Sequence, residues 1–459
     1  MNFRLIKEAL LGKEHDFTRL GIKSSIVLLS IPMILEMLME SLFAVVDIFF
    51  VGKLGDYAVA TIGLTEAVIV LVYAIGMGIG MAATAMVSRR VGEKDLKEAG
   101  SAAFQLLAFG GFISIVLGVL GWFFAENLLI LMGAEAEVLE QGLMYAKIIL
   151  VGNTSIMLLF LLNGAFRGAG QPHLAMKALW ISNGLNIILD PIFIFGLGSF
   201  EGFGLTGAAI ATTLGRSIGV IYQLYHLFNG KHPLKITKEN LGIDIDVIKR
   251  IVKVSVGGMG QFLIDSVGWI ALTRMTAEFG STALAGFTIA FRILMFSMMP
   301  AWGLAGAAAT LVGQNIGAKK FMRAEISVAL TAKYNMIFMA IVTVCYLFFG
   351  KWLAGIFSNS DEVITIAAEG LKIIVLGYVF FGVGMVMVNA FNGAGDTKTP
   401  ALINIVVLFV LEIPLAYFLA FYLDMKLTGL FIAIAVCHSL HAVISVMIFR
   451  KGRWKKVNL

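Results

Sequence analysis

Charge is scarce in this sequence. Of 459 residues only 14% are Asp, Glu, Lys or Arg, whereas a soluble domain normally carries about 25%. A water-soluble globule is therefore excluded, and an integral membrane protein is expected. Cysteine is scarcer still. Cys345 and Cys437 both stand in apolar segments, which leaves no disulfide framework and no cysteine metal spacing. There is no glycine-rich phosphate loop ending in Gly-Lys-Ser or Gly-Lys-Thr, and no His–Glu–His or serine-based constellation. Nucleotide-driven and hydrolytic chemistry thus lack residues, no enzyme activity or cofactor is expected, and any work must draw on an ion gradient. The opening stretch MNFRLIKEALLGKEHDFTRLGIKSS has no apolar signal core or small-residue cleavage site. It reads as a cytoplasmic arm.

What is abundant is apolar sequence: 59% hydrophobic residues, with mean hydropathy +0.91. Runs long enough to span a bilayer, about 20 residues each, fall near 24–52, 57–87, 101–124, 139–165, 172–197, 204–229, 248–273, 281–312, 325–349, 363–391, 400–422 and 427–449. Twelve membrane helices follow, the first interrupted by Pro32. Arg89, Arg90, Lys94 and Lys97, then Lys231, Lys235 and Lys238, then Lys319, Lys320 and Arg323, and the RKGRWKK tail all fall at one end of the spans. That end is expected in the cytoplasm, with both termini, in a multi-pass protein of the cell membrane. The net charge of +6 therefore reports orientation before nucleic-acid binding.

An internal repeat is legible. A shift of 225 residues lays VGKLGDYAVATIGLTEA (51–67) on AEFGSTALAGFTIA (277–290), with Gly55 on Gly280, VGEK (91–94) on IGAK (316–319), and AFRGAG (165–170) on AFNGAG (390–395). A shift of 222 lays LTGAAIA (205–211) on LTGLFIA (427–433). The expected organisation is an arm (1–20), an amino lobe of six helices (21–230), a cytoplasmic connection (231–246), a carboxyl lobe of six helices (247–450) and a basic tail (451–459). An even number of helices per half gives both halves the same topology, related by a pseudo-two-fold axis along the membrane normal, with substrate between them near mid-membrane.

Charge at membrane depth needs a reason. In SNGLNIILDPIFIF, Asp190 stands four residues after Asn186, so both share a helix face. Pro191 has no N–H for the carbonyl of Ile187, and a kink is expected there. Asp47, Asn163, Asn186, Asp190 and Thr212 form a set of oxygen donors from helices one, four, five and six. Two buried carboxyls close together share or exchange a proton, and the same oxygens suit a hard cation such as Na⁺. Under the repeat Asp47 falls opposite Leu272 and Thr212 opposite Ile434, while Glu412 lies near the counterpart of Asp190 but shifted. The amino lobe is therefore expected to hold the coupling ion, and the carboxyl lobe to supply chiefly walls. Glu40 and Asp265 coincide under the shift and are expected to face the cleft as a negative pair for cationic ligands. Glu36 and Glu66 are further membrane-depth acids, and Arg292 is a candidate to neutralise one of them. Met37, Phe43, Met259 and Phe262 are expected on the cleft wall, where adaptable apolar side chains suit varied ligands.

The stretch VDIFFVGKLG, the turn AFRGAGQP with Asn163 just before it, NxxxDP in the fifth span and LTGAAIAT opening the sixth together resemble the multidrug and toxic compound extrusion (MATE) transporters. The likeness covers nearly the whole chain and is nearest to the DinF-like branch with its archaeal members. It implies a monomeric two-lobed antiporter that exports cationic or amphipathic compounds in exchange for H⁺ or Na⁺. It also implies that the first helix bends near Pro32 with ion occupancy. Carried over, the coupling positions fall on Asp47, Asn163, Asn186 and Asp190, and less directly on Thr212. The NorM-like acid of the tenth span is missing from GYVFFGVGMVMVNAFN. The competing expectation is a flippase for lipids or lipid-linked oligosaccharides, whose anionic headgroups would want several cleft arginines or lysines.

Overall fold

The computed structural model describes residues 3–459. Among them twelve long helices follow one amphipathic helix, α1 (Phe3–Leu11). They are α2 (Ile22–Val51), α3 (Asp56–Gly92), α4 (Leu96–Leu131), α5 (Ala136–Gly168), α6 (Pro172–Phe195), α7 (Leu205–Phe228), α8 (Ile245–Ala277), α9 (Ser281–Gly317), α10 (Phe321–Phe357), α11 (Asp361–Gly393), α12 (Lys398–Tyr422) and α13 (Lys426–Arg450). Each covers one of the twelve apolar runs. Nine are long and apolar enough to cross a membrane by composition alone. The other three carry buried or cleft-facing charge: Glu36, Glu40 and Asp47 on α2, Arg216 on α7, and Asp265 on α8. A two-stranded hairpin, β1 (Gly196–Leu197) and β2 (Phe200–Glu201), caps the turn between α6 and α7.

Helices α2 to α7 form one repeat and α8 to α13 the other, and α2 against α9, α3 against α8 and α3 against α9 join the two. The repeat reappears in the backbone. Gly55, Lys94 and Gly170 have positive φ of 108°, 64° and 79°, and their counterparts 225 residues on, Gly280, Lys319 and Gly395, have 96°, 57° and 82°. The pseudo-two-fold axis passes between α3 and α9. A side chain at Gly92 would strike the carbonyl of Gln314, and one at Gly317 would strike the carbonyl of Arg89, so the same contact is made twice with the lobes exchanged. Only a residue without Cβ lets the two backbones meet this closely.

The lobes close at the basic end. Met33 and Ile34 meet Gly303, Gly78 meets Ser255 and Met259, and Gln314 donates to the Gly168 carbonyl. The arm runs along this seam, its Thr18 carbonyl accepting from Lys320 and its Phe17 and Leu20 carbonyls from Arg323, while Asp16 pairs with Lys94 at 3.7 Å. Pro32, expected to interrupt its helix, sits inside continuous α2, and α6 likewise runs on through Pro191. Residues 405–412 and 418–422 of α12 form π-helical turns, which accommodate an extra residue inside a helix.

Candidate functional site

Three polar clusters line the amino lobe, and they divide the residues that the sequence grouped together. In the first, Asp190 is fully buried on α6. One helical turn back, Asn186 Nδ2 donates to Asp190 Oδ1 at 3.2 Å and to Thr212 Oγ1 of α7 at 3.1 Å. Asp190 Oδ2 and Asn186 Oδ1 are buried with no hydrogen-bond partner among the described residues. Two buried acceptor oxygens on residues one turn apart thus have nothing to accept from. Asp47 of α2 is half-buried, makes no hydrogen bond among the described residues, and lies close enough to Asp190 for their charges to act on each other. Glu66 of α3 is exposed and within electrostatic reach of Asp47. A buried acceptor left empty costs about 1–3 kcal/mol, so this donor set fits a proton or a hard cation.

The second cluster holds Asn163, which the structure separates from Asp190. Its Nδ2 donates to Glu36 Oε1 at 3.1 Å, and its Oδ1 accepts from Gln223 at 2.7 Å. Glu36 is fully buried and forked by Arg167, whose Nε donates to Oε2 at 3.2 Å and whose Nη2 donates to Oε1. Asn163 therefore orients a buried ion pair. Arg292, expected to neutralise an acid, is exposed and makes no ion pair among the described residues; Arg167 and Arg216 take that part.

In the third cluster Glu40 accepts from Asn183 Nδ2 at 2.9 Å and pairs with Arg216 Nη2 at 3.4 Å. Glu40 is thus occupied rather than free to form a negative pair with Asp265. Arg216 also lies over the ring of Phe43, 5.4 Å from its centroid. Of the expected wall residues, Met37 and Phe262 are half-buried and Phe43 is buried under Arg216, whereas Met259 packs against Gly78 in the seam between lobes.

The carboxyl lobe is more than a wall. Asp265 Oδ1 accepts from Asn404 Nδ2 at 2.8 Å, Asn404 Oδ1 meets His441 Nε2 at 2.9 Å, and buried Glu412 lies within electrostatic reach of Asp265. Sequence reasoning missed Arg167, Asn183, Arg216, Asn404 and His441. Asn183, Arg216, Asn404 and His441 are polar residues inside apolar runs, Arg167 stands just past the end of one, and that was the signal available.

A twelve-helix bundle of two repeated lobes, with polar clusters facing the cleft between them, defines a membrane transporter. The signature of the MatE family matches residues 32–192 and 259–418, once in each lobe, and the chain belongs to that family. A Thermotoga maritima protein named as a probable multidrug resistance protein NorM is 26% identical over 95% of this chain and 94% of its own. The multidrug export protein MepA of Staphylococcus aureus is 23% identical over 91% of each. A crystal structure of a MATE protein in complex with MaL6 superposes with a TM-score of 0.90 at 27% identity, covering 96% of this chain and 99% of that one. A Pyrococcus furiosus transporter of the MOP superfamily, described by the reversed polarity of its binding pocket, superposes at 0.89 with 26% identity, over 96% and 98%.

Proposed function

We propose that this protein is a secondary active efflux antiporter of the cell membrane, with both termini in the cytoplasm. It exports cationic or amphipathic organic compounds in exchange for H⁺ or Na⁺. The observation that carries the reading is the pair of buried, unpartnered oxygens, Asp190 Oδ2 and Asn186 Oδ1, beside Asp47 and Thr212. An incoming ion satisfies them and cancels charge that a cationic substrate would otherwise use. Substrate and ion then exclude each other, which is the condition for exchange. Bending of α2 at Pro32, where the proline leaves the Leu28 carbonyl without its amide, gives the ion site a way to move the cleft wall.

Export of lipid-linked anions is the weaker reading because Arg167 and Arg216, the arginines of the amino-lobe clusters, are already paired with glutamates. The test is transport of a fluorescent organic cation by protein reconstituted into liposomes, with pH and Na⁺ gradients imposed separately. Export driven by either gradient is expected; export driven by neither removes the proposal.

A further inference from the structure

The wall of α2 that faces the cleft already holds a cation. Glu40 and Phe43, three residues apart and so on one helix face, offer a carboxylate and an aromatic ring, the two surfaces that together bind an organic cation. Arg216 lies on both, 3.4 Å from Glu40 Oε1 and 5.4 Å from the Phe43 ring centre. As a purely structural partner it is poorly satisfied. It is only 8% exposed, it meets Glu40 through one long contact instead of a two-bond fork, and its Nε is buried without a partner. A buried guanidinium ordinarily uses several of its five N–H groups.

The carboxyl lobe shows the same wall without the arginine. Asp265, 225 residues after Glu40, accepts from Asn404 as Glu40 accepts from Asn183. The position 222 residues after Arg216 is His438, which packs edge-on against Phe381 at 4.6 Å. Among the described residues no lysine or arginine pairs with Asp265, which is exposed.

We infer that Arg216 is a tethered competitor of the exported cation. It fills the subsite made by Glu40 and Phe43, and a substrate cation takes that subsite only when the guanidinium leaves. The inference rests on the cation-exporter reading above. The departing guanidinium has a second resting place, because Asp47 lies within its electrostatic reach. Tyr73 of α3 is the remaining ionisable group facing it. Arg216 also stands one turn after Thr212 on α7, so its two positions border the substrate wall and the ion site. A coupling ion that neutralises Asp47 sends Arg216 back to Glu40, and the substrate is expelled.

Equilibrium binding of ethidium to purified protein in nanodiscs, read by fluorescence anisotropy, tests this. Arg216→Gln is expected to bind about tenfold more tightly than the natural protein. Arg216→Lys, which keeps the charge but stacks poorly, should fall between. The gain should vanish in the Glu40→Gln/Arg216→Gln double variant. Unchanged or weaker binding by Arg216→Gln, with elution and melting temperature like the natural protein's, overturns the inference. If that variant does not fold, unchanged or weaker binding by Arg216→Lys overturns it. Ethidium export by the natural protein alongside unchanged variant binding overturns this inference alone, whereas absence of both export and binding in the natural protein overturns the exporter reading itself.

Discussion

At equivalent depths the two lobes carry the same contact with different charge. In the amino lobe Glu36 of α2 is forked by Arg167 of α5. In the carboxyl lobe the residues 225 further on are Gln261 and Asn392, which exchange hydrogen bonds at 3.0 and 3.1 Å. A neutral amide pair does in one lobe the joining that an ion pair does in the other. Joining helices therefore does not require charge here, and the charged version needs another reason. Glu36 lies one turn from Glu40 and, through it, beside the wall held by Arg216, so the amino lobe keeps a file of charges on α2 that ends at Asp47. The carboxyl lobe has Leu272 at that end. The proposed ion site lies on the charged side of this asymmetry.

The largest stability effect should come from breaking the charged version of the contact. Glu36→Gln leaves Arg167 without its partner, and since that side chain is 28% exposed, the cost should sit at the lower end for a buried pair, about 3 kcal/mol. The Glu36→Gln/Arg167→Asn double variant recreates the carboxyl-lobe pair and should recover most of the loss. Thermal unfolding in detergent reads both, and a double variant no more stable than the single one would break the comparison.

A smaller effect is expected at Thr212, which stands opposite Ile434. Thr212→Val removes the acceptor for Asn186 and should cost about 1 kcal/mol, or about fivefold in coupling-ion affinity. Ile434→Thr should leave that affinity unchanged. The half-maximal ion concentration for export distinguishes the two.

The smallest effect belongs to the basic rim of the amino lobe. His232, in the connection after α7, meets His226 at 3.0 Å, and burial holds its pKa below the usual imidazole value. As pH falls through the unfolded value of about 6.5, the unfolded chain takes up a proton that the folded one resists, so stability is lost toward acid. His232→Gln should flatten the fall in melting temperature between neutral and mildly acidic pH; a fall as steep as before would remove His232 as its source.

The helices and the repeat were legible because hydropathy and glycine turns are local signals. Gly55 on Gly280 and VGEK on IGAK reappear as matched backbone angles. Asn186, Asp190 and Thr212 were also legible, since spacing on one helix and a polar residue on its neighbour suffice. The separation of Asn163 from them was not, because it depends on which helix face meets Arg167 and Gln223 across the lobe. The counterpart of Asp190 was legible only approximately, for another reason. Asn183 and Asp190 are seven residues apart, Asn404 and Glu412 eight, and the π-helical turns of α12 absorb the extra residue. No fixed sequence shift registers such an insertion.

The decisive comparison sets Asp190→Asn against Glu412→Gln, two buried acids at related places in the two lobes, in liposomes exporting a fluorescent cation under an imposed ion gradient. The account predicts that Asp190→Asn falls to the rate seen without a gradient, as Asp47→Asn should, while Glu412→Gln retains most of the gradient-driven rate. Full export by Asp190→Asn with loss in Glu412→Gln would place the coupling ion in the other lobe and contradict the account.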